Sequence, residues 1–112
     1  MTYLLDADTV NYLLKGIPAV RERFRQSTSA GAAFVLSPMV HYQLTRYLKL
    51  KDARRVNRAY QRLIADWEWA PFEDADWDLA ADIWASRHRV GLAIQDADLF
   101  IAVSALETEL GW

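Results

Sequence analysis

The chain has 112 residues, which is long enough for one domain whose hydrophobic core needs no disulfides or metals for stability. It contains no cysteine, which excludes disulfide scaffolds, zinc ribbons and cysteine nucleophiles. The net charge of −2 indicates no particular class of partner, and no apolar run approaches the roughly 20 residues that cross a membrane. We expect a single domain over residues 1–112, with no membrane contact and a cytoplasmic location.

The first elements predict a strand followed by two helices. Residues 2–5 form a short apolar run that ends at Asp6, which is typical of a buried strand emerging at the edge of a sheet. Asp8 and Thr9 are expected to provide the N-cap of a helix that ends at Gly16. Pro18 is in a favourable position to begin the second helix.

The middle of the chain repeats this order. Residues 32–36 predict a second strand, and Ser37 with Pro38 is a typical helix start. Asp52 is expected to cap the next helix. A short third strand is predicted within residues 67–72, followed by an amphipathic helix over residues 74–89.

A last helix is predicted to begin at Gln95 and Asp96, so the order is β-α-α-β-α-α-β-α-α. This alternation of strands and helices predicts a parallel sheet with right-handed crossovers. Ligands of such sheets bind outside the carboxyl ends of the strands, and Asp6 lies at one of those ends.

Charge is unevenly distributed along the chain. Between residues 46 and 62, seven cationic side chains stand against the single carboxylate of Asp52: Arg46, Lys49, Lys51, Arg54, Arg55, Arg58 and Arg62. Residues 66–82 are acidic instead. A basic run of this kind could contact phosphates, but a solvated helix face is the reading that a charge run alone favours.

Three blocks resemble the PIN-domain pattern of VapC-like toxins: Leu4-Leu5-Asp6-Ala7-Asp8-Thr9, the segment from Leu36 to Leu44, and Ile94-Gln95-Asp96-Ala97-Asp98-Leu99-Phe100-Ile101-Ala102. In that pattern an Asp ends the first strand, a Ser opens a helix that carries a Glu before Leu, and a later helix starts with a D-x-D-like run. The resemblance covers essentially the whole chain. It implies a three-layer α/β/α PIN-like domain with a short parallel sheet.

The resemblance also implies a function, that of a metal-dependent endoribonuclease toxin in a VapBC-type toxin–antitoxin system. The implied cofactor is Mg²⁺ or Mn²⁺, which prefers oxygen ligands and activates a bound water. The implied partners are a VapB-like antitoxin, a single-stranded or structured RNA substrate and a second copy of the chain in a homodimer.

Carried over residue by residue, Asp6 matches the first metal carboxylate, although an Asp there also suits a helix cap. Asp98 matches the later metal carboxylate. Asp96 is expected to cap the last helix or support the metal through water, because residues two apart on a helix point about 200° apart. The roles of these two could be reversed. Asp8 is read as a cap, and Thr9 as a cap, a partner of a carboxylate or an RNA contact.

Two departures from the pattern bear on activity. Gln43 stands where the family has Glu, and a neutral amide is a weaker ligand for Mg²⁺, so activity is expected to fall. The substitution could be natural or engineered. The family pattern also continues into a fourth strand, so we expect the domain to be C-terminally incomplete and to leave an exposed sheet edge.

Other residues have weaker interpretations. Arg46 lies on the same helical face as Gln43 and could hold RNA phosphate or form a surface salt bridge. Tyr42 and Tyr47 could line a groove for an antitoxin segment. The tryptophans between residues 67 and 84 favour core packing or a dimer face over base stacking, and the two histidines are too few for a zinc site.

Two alternatives to a nuclease toxin stay open. The first is a catalytically inactive PIN-like domain that acts only as a protein- or RNA-binding module, which the replaced Glu and the missing strand favour. The second is an α/β structural domain unrelated to PIN domains, in which the three matching blocks are coincidental.

Overall fold

The structure, a computed structural model, describes residues 1–106. Its elements follow the predicted order: β1 (Thr2–Leu4), α1 (Ala7–Lys15), α2 (Pro18–Ser29), β2 (Ala33–Leu36), α3 (Pro38–Leu50), α4 (Arg54–Leu63), β3 (Glu68–Trp69), α5 (Asp74–Arg89) and α6 (Asp96–Leu106). None of these helices is long and apolar enough to cross a membrane. The predicted incompleteness of the C-terminal end falls outside the described residues.

The described strands form one parallel sheet in the order β1-β2-β3, which confirms the predicted α/β class. β1 pairs with β2 so that Leu4 lies opposite Val35, and β2 pairs with β3 so that Leu36 lies opposite Trp69. All three strands therefore end at the same edge of the sheet, and the loops that follow them lie side by side there.

Two clusters of buried side chains hold the helices in place. The larger cluster joins the sheet to α1, α3 and α4, and its most buried members are Leu5, Val10, Val40 and Tyr60. The smaller one is formed by Ala80 of α5 with Leu99 and Val103 of α6. Because α3 packs against both α1 and α6, the two clusters are held together at the carboxyl edge of the sheet.

The start of α3 agrees with the sequence, and the start of α4 does not. The Ser37 hydroxyl accepts hydrogen bonds from the backbone N–H groups of Met39 and Val40, with Pro38 in the first turn. The prediction that Asp52 caps α4 was wrong, since Ala53 is the N-cap and provides no side-chain bond. Asp52 adopts a left-handed backbone, φ 50°, in the turn after α3, and its carboxylate accepts from Arg54 instead.

The third strand is shorter than predicted and the following helix has the predicted bounds. Only Glu68 and Trp69 pair with β2, because the chain reaches Pro71, which has no N–H to donate to a strand ladder. α5 runs over the predicted residues 74–89. It begins with a reciprocal cap between Glu73 and Asp76, in which the Asp76 carboxylate accepts from the Glu73 N–H at 2.8 Å.

The four tryptophans between residues 67 and 84 do not form one group. Trp67 packs in the main core against Phe24 and Phe34, as expected for core packing. Trp69 is 55% exposed and meets the His41 ring edge-on. On α5, Trp77 and Trp84 are also exposed, so core packing does not hold for these three, and the predicted alternative, a dimer face, stays a prediction.

His41 joins α3 to the core through Tyr60. The Tyr60 hydroxyl lies 2.7 Å from His41 Nδ1, and burial raises the pKa of Tyr60 to about 12, so this hydroxyl keeps its proton and can donate it to the imidazole. Burial, with a smaller contribution from Lys49, lowers the pKa of His41. The neutral imidazole is therefore the form that the fold stabilises.

This pair predicts a pH dependence of stability. Because the pKa of His41 is lower in the folded chain than in the unfolded chain, its stabilisation is present above the ordinary value of 6.5 and is lost as the pH falls through the folded value. The free energy of unfolding, measured by urea titration, should fall more steeply across this range in the wild type than in His41→Gln. His88→Gln, at an exposed histidine, should keep the wild-type slope; equal slopes in all three proteins would contradict the assignment.

Candidate functional site

Asp6 lies where β1 gives way to α1, at the carboxyl edge of the sheet. Its backbone is extended, and its Oδ1 accepts a hydrogen bond of 2.8 Å from the backbone N–H of Thr9. Asp6 is therefore the N-cap of α1, which confirms the alternative reading of Asp6 as a helix cap, and the prediction that Asp8 and Thr9 cap α1 was wrong by two to three residues. Asp8 lies in the first turn instead, where its charge interacts favourably with the helix dipole.

One face of α6 closes over this end of β1. Asp98, Ile101, Ala102 and Ala105 recur at the spacing of a single helix face, and together with Leu4, Leu5, Asp6 and Thr9 they line a cleft of about 360 Å³. The two carboxylates come from distant parts of the sequence and meet in this one cleft. The residues that the resemblance pairs, Asp6 and Asp98, are thus brought together.

The cleft is acidic at its mouth and apolar along its walls. Asp6 and Asp98 are both exposed, and both lie at the N-terminal ends of helices, where the helix dipole stabilises negative charge. Across residues 1–106, no basic side chain lines the cleft. An acidic site without a resident counter-charge is suited to a cation.

Asp96 lies in a different groove from Asp98. It lines a shallow depression between α5 and α6 with Leu99 and Phe100, bordered by Trp77 and Trp84. This separation follows from the angle of about 200° between helix positions two residues apart. Asp98 therefore lines the cleft that contains Asp6, and Asp96 does not.

Two solved structures have a similar fold. VapBC2 from Rickettsia felis, bound to a DNA fragment from its promoter, contains a chain with a TM-score of 0.81 and 17% identity; the match covers 96% of this chain and 81% of that chain. VapBC-1 from nontypeable Haemophilus influenzae gives a TM-score of 0.73 and 21% identity, with the same coverage. The chain has a VapC-like PIN fold. No protein-family model and no curated protein matches the sequence.

Within this PIN fold the acidic cleft contains two carboxylates. Among residues 1–106, no group of three His, Cys, Asp or Glu side chains lies close enough together to hold a metal ion with protein ligands alone. Mg²⁺ keeps several waters and is commonly held by one or two carboxylates together with substrate phosphate. Asp6 and Asp98 therefore fit a hydrated Mg²⁺ or Mn²⁺, while a fully protein-ligated metal does not fit the described part of the chain.

Gln43 lies half-buried on α3, just before the buried Leu44, and does not line the cleft as the described residues form it. Its helix packs against both α1 and α6, the helices that begin near Asp6 and Asp98. Arg46, one turn further along α3, is exposed, and its guanidinium lies 4.9 Å from the centre of the Tyr42 ring. Arg46 forms no ion pair within residues 1–106, so the predicted surface salt bridge is absent from that part of the chain. The other predicted contact, with RNA phosphate, stays a prediction.

The apolar walls of the cleft were not singled out from the sequence. Ile101, Ala102 and Ala105 follow Asp98 at intervals of three, four and seven residues, which is the signal of one helix face. The signal was present, but α6 is apolar nearly all round, so periodicity alone does not distinguish the face toward α5 from the face toward β1.

The cap at Asp6 predicts how substitutions there affect stability. Asn caps a helix about as well as Asp, so Asp6→Asn should unfold within a few tenths of a kcal/mol of the wild type, whereas Asp6→Ala should lose about 1 kcal/mol. Urea unfolding at moderate salt measures both. Asp8→Ala is the matched control and should cost less than Asp6→Ala; a larger cost would show that Asp8 is the cap after all.

Proposed function

We propose that this chain is a metal-dependent endoribonuclease toxin of the VapC type, attenuated by Gln43. The observation that supports the proposal most directly is the meeting of Asp6 and Asp98 in one acidic cleft at the carboxyl edge of a VapC-like PIN fold. Fold similarity alone does not carry an activity, so the proposal depends on these two side chains.

Asp6 and Asp98 would each provide one carboxylate ligand to a divalent cation. Asp6 commits Oδ1 to the Thr9 N–H, which fixes the orientation of the carboxylate and leaves Oδ2 for the cation. Asp98 faces it from α6, and the Thr9 side chain borders the same cleft. When bound, the cation lowers the pKa of a coordinated water and neutralises phosphate charge.

Gln43 is the proposed cause of attenuation. It lies on the helix that packs against both carboxylate-bearing helices, and the family pattern has Glu at this position. With a neutral amide there, the described part of the site has only two anionic ligands. The affinity for Mg²⁺ and the rate of cleavage should both be lower than with a third carboxylate.

The proposed partners follow from the complexes that the chain resembles. Both similar structures are VapBC assemblies, which supports a VapB-like antitoxin as the partner of this chain.

We also propose a homodimer, which would cover apolar surface. Trp77 and Trp84 on α5 expose about half of their side chains. The RNA substrate is proposed to be single-stranded or structured.

An inactive binding module is the second candidate. Its support is specific: residues 1–106 bring together two carboxylates and no third acidic or histidine ligand. Such a domain would keep the antitoxin and RNA surfaces of the fold without cleaving. It predicts no Mn²⁺-dependent cleavage even when the position of Gln43 is restored to Glu.

Removing either cleft carboxylate should weaken metal binding. Asp6→Asn and Asp98→Asn each delete one anionic ligand while leaving the helix starts intact, so the Mn²⁺ affinity measured by titration calorimetry should fall at least about tenfold, or ~1.4 kcal/mol. Cleavage of a mixed RNA panel, stopped by EDTA in the wild type, should be lost in both variants.

Asp96→Asn provides the matched control, because it makes the same change two residues from Asp98 but in the groove next to Trp84. It should bind Mn²⁺ like the wild type. An equal loss of Mn²⁺ affinity in Asp96→Asn would show that the affinity depends on the overall negative charge of α6, and it would overturn the proposed site formed by Asp6 and Asp98.

An acid at position 43 of α3 should strengthen the site. Gln43→Glu adds a carboxylate on the helix that packs against both α1 and α6, so Mn²⁺ affinity and RNA cleavage should both rise, by about tenfold if the new oxygen binds the cation directly. Gln61→Glu on α4 makes the same chemical change at an exposed site and should leave Mn²⁺ affinity unchanged. No gain in Gln43→Glu would favour the inactive module.

A further inference from the structure

The segment from residue 46 to residue 62 holds seven of the 13 lysines and arginines of the protein. It holds seven cationic side chains against one carboxylate, a net charge of +6, in a chain whose net charge is −2, so the remaining residues carry −8. All seven cations are exposed. The protein is therefore strongly polarised, with a basic surface separate from its acidic cleft.

The arginines of α4 lie on one side of that helix. Arg54, Arg58 and Arg62 are spaced four residues apart, and Arg55 lies beside them. The opposite side packs into the core through Tyr60, which is fully buried, and Leu63. These arginines form a continuous strip, called here the α4 arginine face, that points away from the core.

An ordinary solvated helix face mixes charges of both signs, since like charges one turn apart destabilise a helix. Within residues 1–106, one ion pair reaches the α4 arginine face, the exposed contact of 3.1 Å between Arg54 and Asp52. Arg55, Arg58 and Arg62 have no ion-pair partner in that part of the chain. An external polyanion would relieve the repulsion among them.

The spacing and chemistry of the strip fit a phosphate backbone. Three arginines four residues apart extend over about 12 Å of helix, which is comparable to three or four base-pair steps of a duplex at ~3.4 Å of axial rise each. The guanidinium group suits phosphate because its planar N–H groups can bind two oxygens at once. On α3, the exposed rings of Tyr42 and Tyr47 lie under Arg46 and Lys51, two further cations of the basic segment.

We propose that the α4 arginine face is a nucleic-acid phosphate-binding surface distinct from the acidic cleft. It deepens the proposed function and rests on it for the role of the bound strand, since a nuclease whose cleft is negative needs another surface to hold its substrate. The binding itself does not require cleavage. RNA and DNA share the phosphate chemistry, so the probe identifies which of them binds.

The test measures binding in EDTA, with no cleavage possible. A fluorescent single-stranded RNA, a duplex DNA of equal length and poly-glutamate are titrated with the wild type, with Arg55→Gln/Arg58→Gln and with the control Arg87→Gln/Arg89→Gln. Both variants remove two exposed arginines from helices. Gln is a good helix former, and far-UV circular dichroism checks that all three proteins are equally folded.

The expected result is a loss confined to the α4 variant. Its affinity for the bound nucleic acid should fall on the order of tenfold. The negative slope of log K against log salt should become less steep by about 1.4 for the RNA or about 1.8 for the duplex, which corresponds to the loss of two phosphate contacts. The control should keep the wild-type slope. If the α4 variant loses affinity for the RNA alone, the surface binds single-stranded RNA. If it loses affinity for the duplex DNA as well, the surface binds the phosphate backbone of either nucleic acid.

Three results would overturn the proposal. These are equal losses in both variants, failure of the wild type to bind either nucleic acid, and a larger effect of the α4 substitutions on poly-glutamate, which would assign the face to an acidic protein. Failure of the proposed nuclease activity gives a different pattern, because RNA binding in EDTA then persists while Mn²⁺-dependent cleavage is absent.

Discussion

The parallel pairing of β1 with β2 is the constraint on which the candidate site depends. In a parallel sheet each strand must return by a crossover, so all strands end at one edge and every following helix begins there. Leu4 and Leu5 are buried by this arrangement, and the next residue, Asp6, must emerge at that edge. Its carboxylate then satisfies a free N–H of α1 and faces the cleft at the same time. The structural role of the cap and the proposed role in metal binding thus fall on one side chain.

α6 shows how a helix divides its carboxylates between two surfaces. Leu99 and Val103 are buried against α5, which fixes the rotation of the helix about its axis. With that rotation set, Asp98 must face β1 and Asp96 must face the groove beside Trp84. Packing in the smaller core cluster therefore selects which acid can serve the cleft, although nothing in the local D-x-D sequence distinguishes them.

What the sequence could predict depended on whether the signal was local. The Ser37 cap and the bounds of α5 were predictable because capping chemistry and helical periodicity act over a few residues. The start of α1 was placed two to three residues late, since Asp6 and Asp8 are equally good caps and the choice depends on where β1 stops pairing. The meeting of Asp6 with Asp98 was expected through the family pattern and the parallel topology. The position of Gln43 relative to them was not predictable, because it depends on how α3 lies between two helices.

The distribution of charge connects the two proposals. A cleft that residues 1–106 line with two carboxylates and no basic side chain repels a phosphate, and a bound divalent cation would offset that repulsion only where it is coordinated. A substrate approaching along its backbone also meets the negative field of residues outside the basic segment, which carry −8 in total. A separate basic surface would oppose this field and raise the local concentration of polyanion before any contact with the cleft. If both proposals hold, substrate capture and metal binding are separable, and a change that weakens the proposed metal site, such as the amide at Gln43, would lower cleavage while leaving the attraction of RNA intact.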